Sequence, residues 1–175
     1  MTKPIAQNLM TSIVVETNSF KLPNVRRATF EVCADLIKCG VDFYRLVNTV
    51  FWSKDRASAV LSGICLARCR FLRGGAVAWS IITNKDFKLS HGKSDDVDAV
   101  PDEMRAIDGV RVVVLFRETA GNALRVSLRS KGRINVASVA EYYNGGGHFD
   151  VAGCIIKNDP ASIRGLLRRV ERLVR

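Results

Sequence analysis

The chain has 175 residues, enough for one full domain or one domain plus part of another. Hydrophobic residues make up 47 % and charged residues 25 %, so a core can be buried and a low-complexity chain is excluded. With 27 basic against 17 acidic residues the net charge is +10, which points to anionic partners, while an aromatic content of 7 % gives no sign of a wide base-stacking platform.

No apolar run reaches the roughly 18 residues of a membrane span, and the N-terminus lacks the charged and apolar regions of a signal peptide. The five cysteines form no CxxC pair, and Cys65 and Cys69 lie four apart in an apolar helix. They read as reduced thiols in the core of a cytoplasmic protein.

In chain order, Ile5 to Val15 predicts a helix with Ala6, Leu9, Met10 and Ile13 on one side, running into a polar turn, Glu16 to Phe20. Asn24 or Val25 opens the next helix, which closes at Gly40. Asp42 caps a third over Phe43 to Trp52. Ser53 caps a long helix, roughly Asp55 to Arg73, expected to connect two lobes. Gly74-Gly75 breaks it. Strands follow at Ala76–Thr83 and Val110–Glu118, the latter paired through a turn at Gly121 with Ala123–Ser130. Between the first two lie a short helix or loop, Asn84 to Lys93, and an acidic stretch, Ser94 to Glu103. Asn135 caps a helix over Val136 to Tyr143, Cys154–Lys157 is a last strand, and Asp159-Pro160 opens a final helix with an apolar stripe and an arginine face. That arginine face reads either as a nucleic-acid contact or, more simply, as solvated surface.

Between the helix ending at Tyr143 and the last strand stands Asn144-Gly145-Gly146-Gly147-His148. Glycine loses the most backbone freedom on folding, so such a run implies positive φ or close approach. Upstream, Arg125 to Arg133 carries four cations and no acid. Together these read as an anion site: glycine N–H groups, an imidazole and guanidinium forks. By themselves they read more readily as a glycine turn beside a basic strand end.

The run Val126-Ser-Leu-Arg129-Ser130-Lys131-Gly132, followed by Asn144-Gly-Gly-Gly-His148 and Ala152-Gly153, resembles the DHHA1 domain of DHH-family phosphoesterases. Ile107-Asp-Gly-Val110 with Val114-Leu-Phe-Arg117-Glu118 resembles the middle of that domain. Glu16-Thr17-Asn18-Ser19-Phe20 and the helix ending at Gly40-Val-Asp42 resemble the last metal motif of the catalytic DHH domain and the helices after it. Order and spacing match the branch of oligoribonucleases and 3′-phosphoadenosine 5′-phosphate phosphatases.

The resemblance implies an α/β fold: a DHHA1-like mixed β-sheet domain with flanking helices over 74–175. Before it come a linker helix, 53–73, and a helical remnant of a DHH domain, 1–52. It implies a lobe that binds nucleotides or short oligonucleotides by their phosphates, through Arg129, Ser130, Gly145, Gly146, Gly147 and His148. Arg125, on the strand face of Arg129, is a further candidate. Family enzymes use manganese held by Asp and His. This chain has no Asp-His-His triplet, and Glu16 stands where the family has a metal-ligating Asp; it is the chain's metal candidate or else a loop carboxylate. Manganese is therefore expected in a full-length enzyme and not on this chain alone, where His148 has at most an assisting part and no catalytic residue is expected. The alternatives are a general RNA- or single-stranded-DNA-binding module, and an active phosphodiesterase completed by a missing N-terminal half. Expected partners are a second copy or such a DHH domain, covering Leu9, Ile13, Phe30 or Phe51, and no membrane.

Overall fold

The computed structural model describes residues 1–174 and falls into two units, Met1–Lys54 and the remainder from Asp55. The first is helical: α1 (Lys3–Glu16), α2 (Arg27–Lys38) and α3 (Phe43–Phe51). Ala6, Met10 and Val14, spaced by four, form the buried stripe of α1 and pack with Cys33, Leu36 and Leu46. Beyond α1 the chain turns through three consecutive left-handed residues, Asn18, Ser19 and Phe20. The Thr17 hydroxyl accepts from the Phe20 N–H at 3.0 Å, and Phe20 stacks on Phe30 at 5.2 Å. These contacts hold a bulky side chain at positive φ, where it is otherwise disfavoured. Asn24 does not open α2. Its amide donates to the Glu16 carbonyl at 3.2 Å, and the helix starts at Arg27, with the Thr29 hydroxyl accepting from the Arg26 N–H. Asp42 caps α3 by accepting from the Arg45 N–H at 2.9 Å.

In the second unit α4 spans Arg56–Ala67 and is capped by Asp55, whose carboxylate accepts from the Ser58 N–H at 2.7 Å. The expected helix to Arg73 is thus too long by about a turn and a half, and its expected cap, Ser53, is displaced by Asp55. Arg70–Leu72 form a strand instead, β1, because they pair antiparallel with β2 (Val77–Ile82). Leu61 and Cys65 are fully buried with Ala78, Ile82, Val113 and Leu115, inside this unit's own core.

The sheet continues with β3 (Val112–Thr119), β4 (Ala123–Ser130), β5 (Gly146–Gly147) and β6 (Val151–Lys157), in the order β1-β2-β3-β4-β6-β5. β2 and β3 are parallel, joined by a crossover through α5 (Asn84–Ser90) and α6 (Val100–Arg105); the other pairs are antiparallel. Alternation along the strands divides two cores. Val77, Val112, Val114, Leu124, Val126 and Leu128 face α7 (Ala137–Tyr142) and α8 (Pro160–Leu173). Ala78, Ile82, Val113 and Leu115 face α4 and α6. At β4 and β6 this second face passes from apolar residues to Arg125, Ser127, Arg129 and Gly153, where a cleft opens.

Candidate functional site

The cleft has a volume of about 950 Å³. Its floor is the register of β4 on β6: Arg129 opposite Val151, Ser127 opposite Gly153, Arg125 opposite Ile155. Its rim is Tyr143 to His148, and Asp98 stands on the far side. The strand period of two brings Arg125, Ser127 and Arg129 to one face.

Arg129 is the most constrained of these cations. It is partly buried, donates to the Leu128 carbonyl at 3.1 Å, and makes no ion pair among the described residues. Burial pushes its pKa down from the ordinary guanidinium value. The charge of Arg105 acts in the same direction, while Asp102, Asp98 and Asp150 pull against both. The guanidinium stays protonated under all ordinary conditions, so a desolvated positive charge is held without a carboxylate in contact.

Two of these three acids are committed elsewhere. Asp102 accepts from Arg105 at 2.8 Å. Asp98 accepts at 3.2 Å from Arg117, a β3 side chain only 3 % exposed that also donates to the Ser94 carbonyl. Arg117 thereby ties the acidic segment to the sheet beside the cleft. The sequence pattern did not single it out, because a cation near the end of an apolar strand looks like ordinary strand-end surface.

Ser130 does not reach the cleft. It lies one residue past Arg129 and so on the other face, 2 % exposed, its hydroxyl donating to the Ile134 carbonyl at 2.7 Å. The hydroxyl on the cleft face is that of Ser127.

The glycine run is a sheet edge as well as a loop. Gly146 pairs with Gly153 and Gly147 with Ala152. A Cβ on Gly145 would lie 2.2 Å from the Gly153 carbonyl oxygen, and one on Gly147, at φ +147°, 2.4 Å from that of Val151. Close approach of β6 is therefore what demands glycine at these two positions, while Asn144 takes the left-handed turn (φ 56°) before them. The expected cradle of N–H groups is smaller than the sequence suggests. The Gly145 N–H donates to the Ala140 carbonyl, and His148 donates to Val151 through its backbone. Ladder alternation from that His148–Val151 pair directs the Gly146 N–H inward and the Gly147 N–H to the open edge. The His148 side chain is exposed at the rim, and its ring makes no hydrogen bond among the described residues.

The described residues do not fit the metal centre that the resemblance implies. No three His, Cys, Asp or Glu side chains among the described residues are grouped to hold an ion, and the side chain of exposed Glu16 makes no hydrogen bond or ion pair there, its backbone carbonyl accepting from Asn24. His91, the second histidine, is the left-handed residue that ends α5. No helix among the described residues is long and apolar enough to cross a membrane.

Residues 87–175 match the family model of the DHHA1 domain. Over 156 residues the chain is 31 % identical to the bifunctional oligoribonuclease and PAP phosphatase NrnA of Mycoplasma genitalium, covering 89 % of this chain and 48 % of that protein. It is 26 % identical over 156 residues to the protein of the same name from Thermus thermophilus, covering 89 % and 46 %. Its fold is similar to the crystal structure of an exopolyphosphatase-related protein from Bacteroides fragilis, with a TM-score of 0.86 over 98 % of this chain and 50 % of that one, at 20 % identity. The chain spans about half the length of the curated relatives it matches.

Proposed function

The chain belongs to the DHHA1 domain family, and from that premise we propose that its cleft holds a phosphate group of a nucleotide or short oligonucleotide, as the binding lobe of a DHH-type phosphoesterase. The observation that carries this reading is Arg129: a desolvated guanidinium without a carboxylate partner, on a cleft floor beside Arg125 and facing the His148 rim. Such a group favours an anion that can accept two parallel N–H bonds, as phosphate does. Ser127 and His148 supply further donors around the same space. The named relatives are oligoribonucleases and PAP phosphatases, which supports a nucleotide as the carrier of that phosphate.

The family resemblance implies manganese for hydrolysis, and the described residues do not assemble a ligand set for it. The chain alone is accordingly proposed to bind without cutting. Calorimetric titration of a dinucleotide tests the reading. A charge-assisted hydrogen bond is worth about 1.5–3 kcal/mol, so Arg129→Ala is expected to weaken binding by roughly 10- to 100-fold. Arg133→Ala, at an exposed position off the cleft, should leave it unchanged. Wild-type affinity in Arg129→Ala would remove the basis of the proposal.

A further inference from the structure

Helix α8 packs Leu166, Leu167 and Val170 into the core and turns its arginines outward. At about 100° per residue, Arg164, Arg168, Arg172 and Arg169 fill one continuous arc of roughly 140° opposite that buried side. Arg164, Arg168 and Arg172 are exposed, and among the described residues they make no ion pair. The acid of this helix, Glu171, lies at the far margin of the arc and faces Arg73 at 3.5 Å. Nothing on the helix neutralises the arc.

The near margin is built against the cleft. The Arg169 guanidinium sits 3.1 Å from the ring centroid of Tyr142, stacked and so ordered before any ligand arrives. The next residue, Tyr143, lines the cleft and also reaches α8, its hydroxyl lying beside Gly165. Tyr143 therefore links the cleft to the Arg169 margin of α8 around the edge of the sheet, since α8 packs on the face opposite Arg125 and Arg129. Successive arginines at four-residue spacing stand about 6 Å apart along the axis, comparable with the spacing of phosphates in an extended single strand.

We infer that this arc is a second, non-catalytic contact surface, which carries the sugar-phosphate backbone of a single-stranded oligonucleotide beyond the phosphate held in the cleft. The inference rests on the cleft reading for the anchored end and adds a surface that the cleft does not include. An anionic lipid surface is the less suitable partner, because the apolar side of α8 is buried in the core and has nothing to insert.

Fluorescence anisotropy on the whole chain, with labelled oligoribonucleotides of two and ten nucleotides, separates the two claims. The ten-nucleotide strand is expected to bind at least tenfold more tightly than the dinucleotide. The triple variant Arg164→Ala/Arg168→Ala/Arg172→Ala should abolish that gain without changing dinucleotide affinity. It should also reduce the slope of log affinity against log salt by about 2, from roughly 0.7 per phosphate contact on a single strand. Equal affinity for the two lengths, or a gain that survives the triple variant, overturns the arc. An arginine-dependent affinity for vesicles containing phosphatidylserine, with no length gain on RNA, overturns it in favour of a membrane. A dinucleotide that fails to bind, or binds independently of Arg129, strikes the cleft reading instead.

Discussion

Separate substitutions of Arg129 and Ser130 divide a binding role from a folding role. The two are adjacent in sequence, yet the pleat sends one to the cleft and the other into the core. Ser130→Ala removes the donor that satisfies the buried Ile134 carbonyl. It is expected to cost about 1–3 kcal/mol of stability, read from urea unfolding, while the folded protein keeps wild-type dinucleotide affinity. Loss of affinity with unchanged stability would mean that the hydroxyl serves the ligand after all. Gly145 and Gly146 form a second contrast. A methyl group on Gly145 meets backbone at 2.2 Å, whereas one on Gly146 meets nothing within 4 Å. Gly145→Ala should destabilise by about 1–3 kcal/mol through overpacking, and Gly146→Ala should stay within about 0.5 kcal/mol of wild type. Equal midpoints for the two variants would show that β6 does not press on the loop as described.

At the level of elements, α5 is fastened to the sheet side by one carboxylate. Asp86 accepts from the Arg68 guanidinium at 2.7 Å and from the Thr83 N–H and hydroxyl at 2.8 and 2.7 Å. Burial alone pushes this carboxyl up, but the Arg68 and Thr83 contacts outweigh it and the net shift is down from 3.8. A folded-state value below the unfolded one means that the contribution to stability is present above the unfolded pKa. It is lost as pH falls through the folded value. Thermal melts of wild type and Asp86→Asn should therefore differ at neutral pH and converge as the pH drops below about 4. A gap that stays constant to pH 3 would contradict the assignment. The elements that could be read from sequence were those with their own local signals: the caps Asp42 and Asp159, the turn between β3 and β4, and the apolar stripe of α8; in α1 the expected side included Leu9, which is exposed, and missed Val14, which is buried. Arg70–Leu72 could not be read this way. Nothing local distinguishes a helix end from a short edge strand there, and pairing with Val77–Trp79 decides it. The glycine run likewise becomes a strand only through β6.

For the whole molecule, sequence and structure agree on an α/β fold with the basic strand and the glycine run at one cleft, because strand parity and loop order carried that information. The unpaired state of Arg129, the anchoring of Asp98 by Arg117 and the continuity from the cleft to α8 depend on distances between elements remote in sequence. No periodicity encodes them. A chain of 19.3 kDa is well suited to amide-resolved NMR, so the central claim can be tested without a substitution. Titration with a dinucleotide should shift the amides of Arg125 to Arg129, Gly145 to His148 and Gly153, saturably and together. Shifts confined to residues 1–54, or none at saturating ligand, would contradict the assignment of this cleft as the phosphate site.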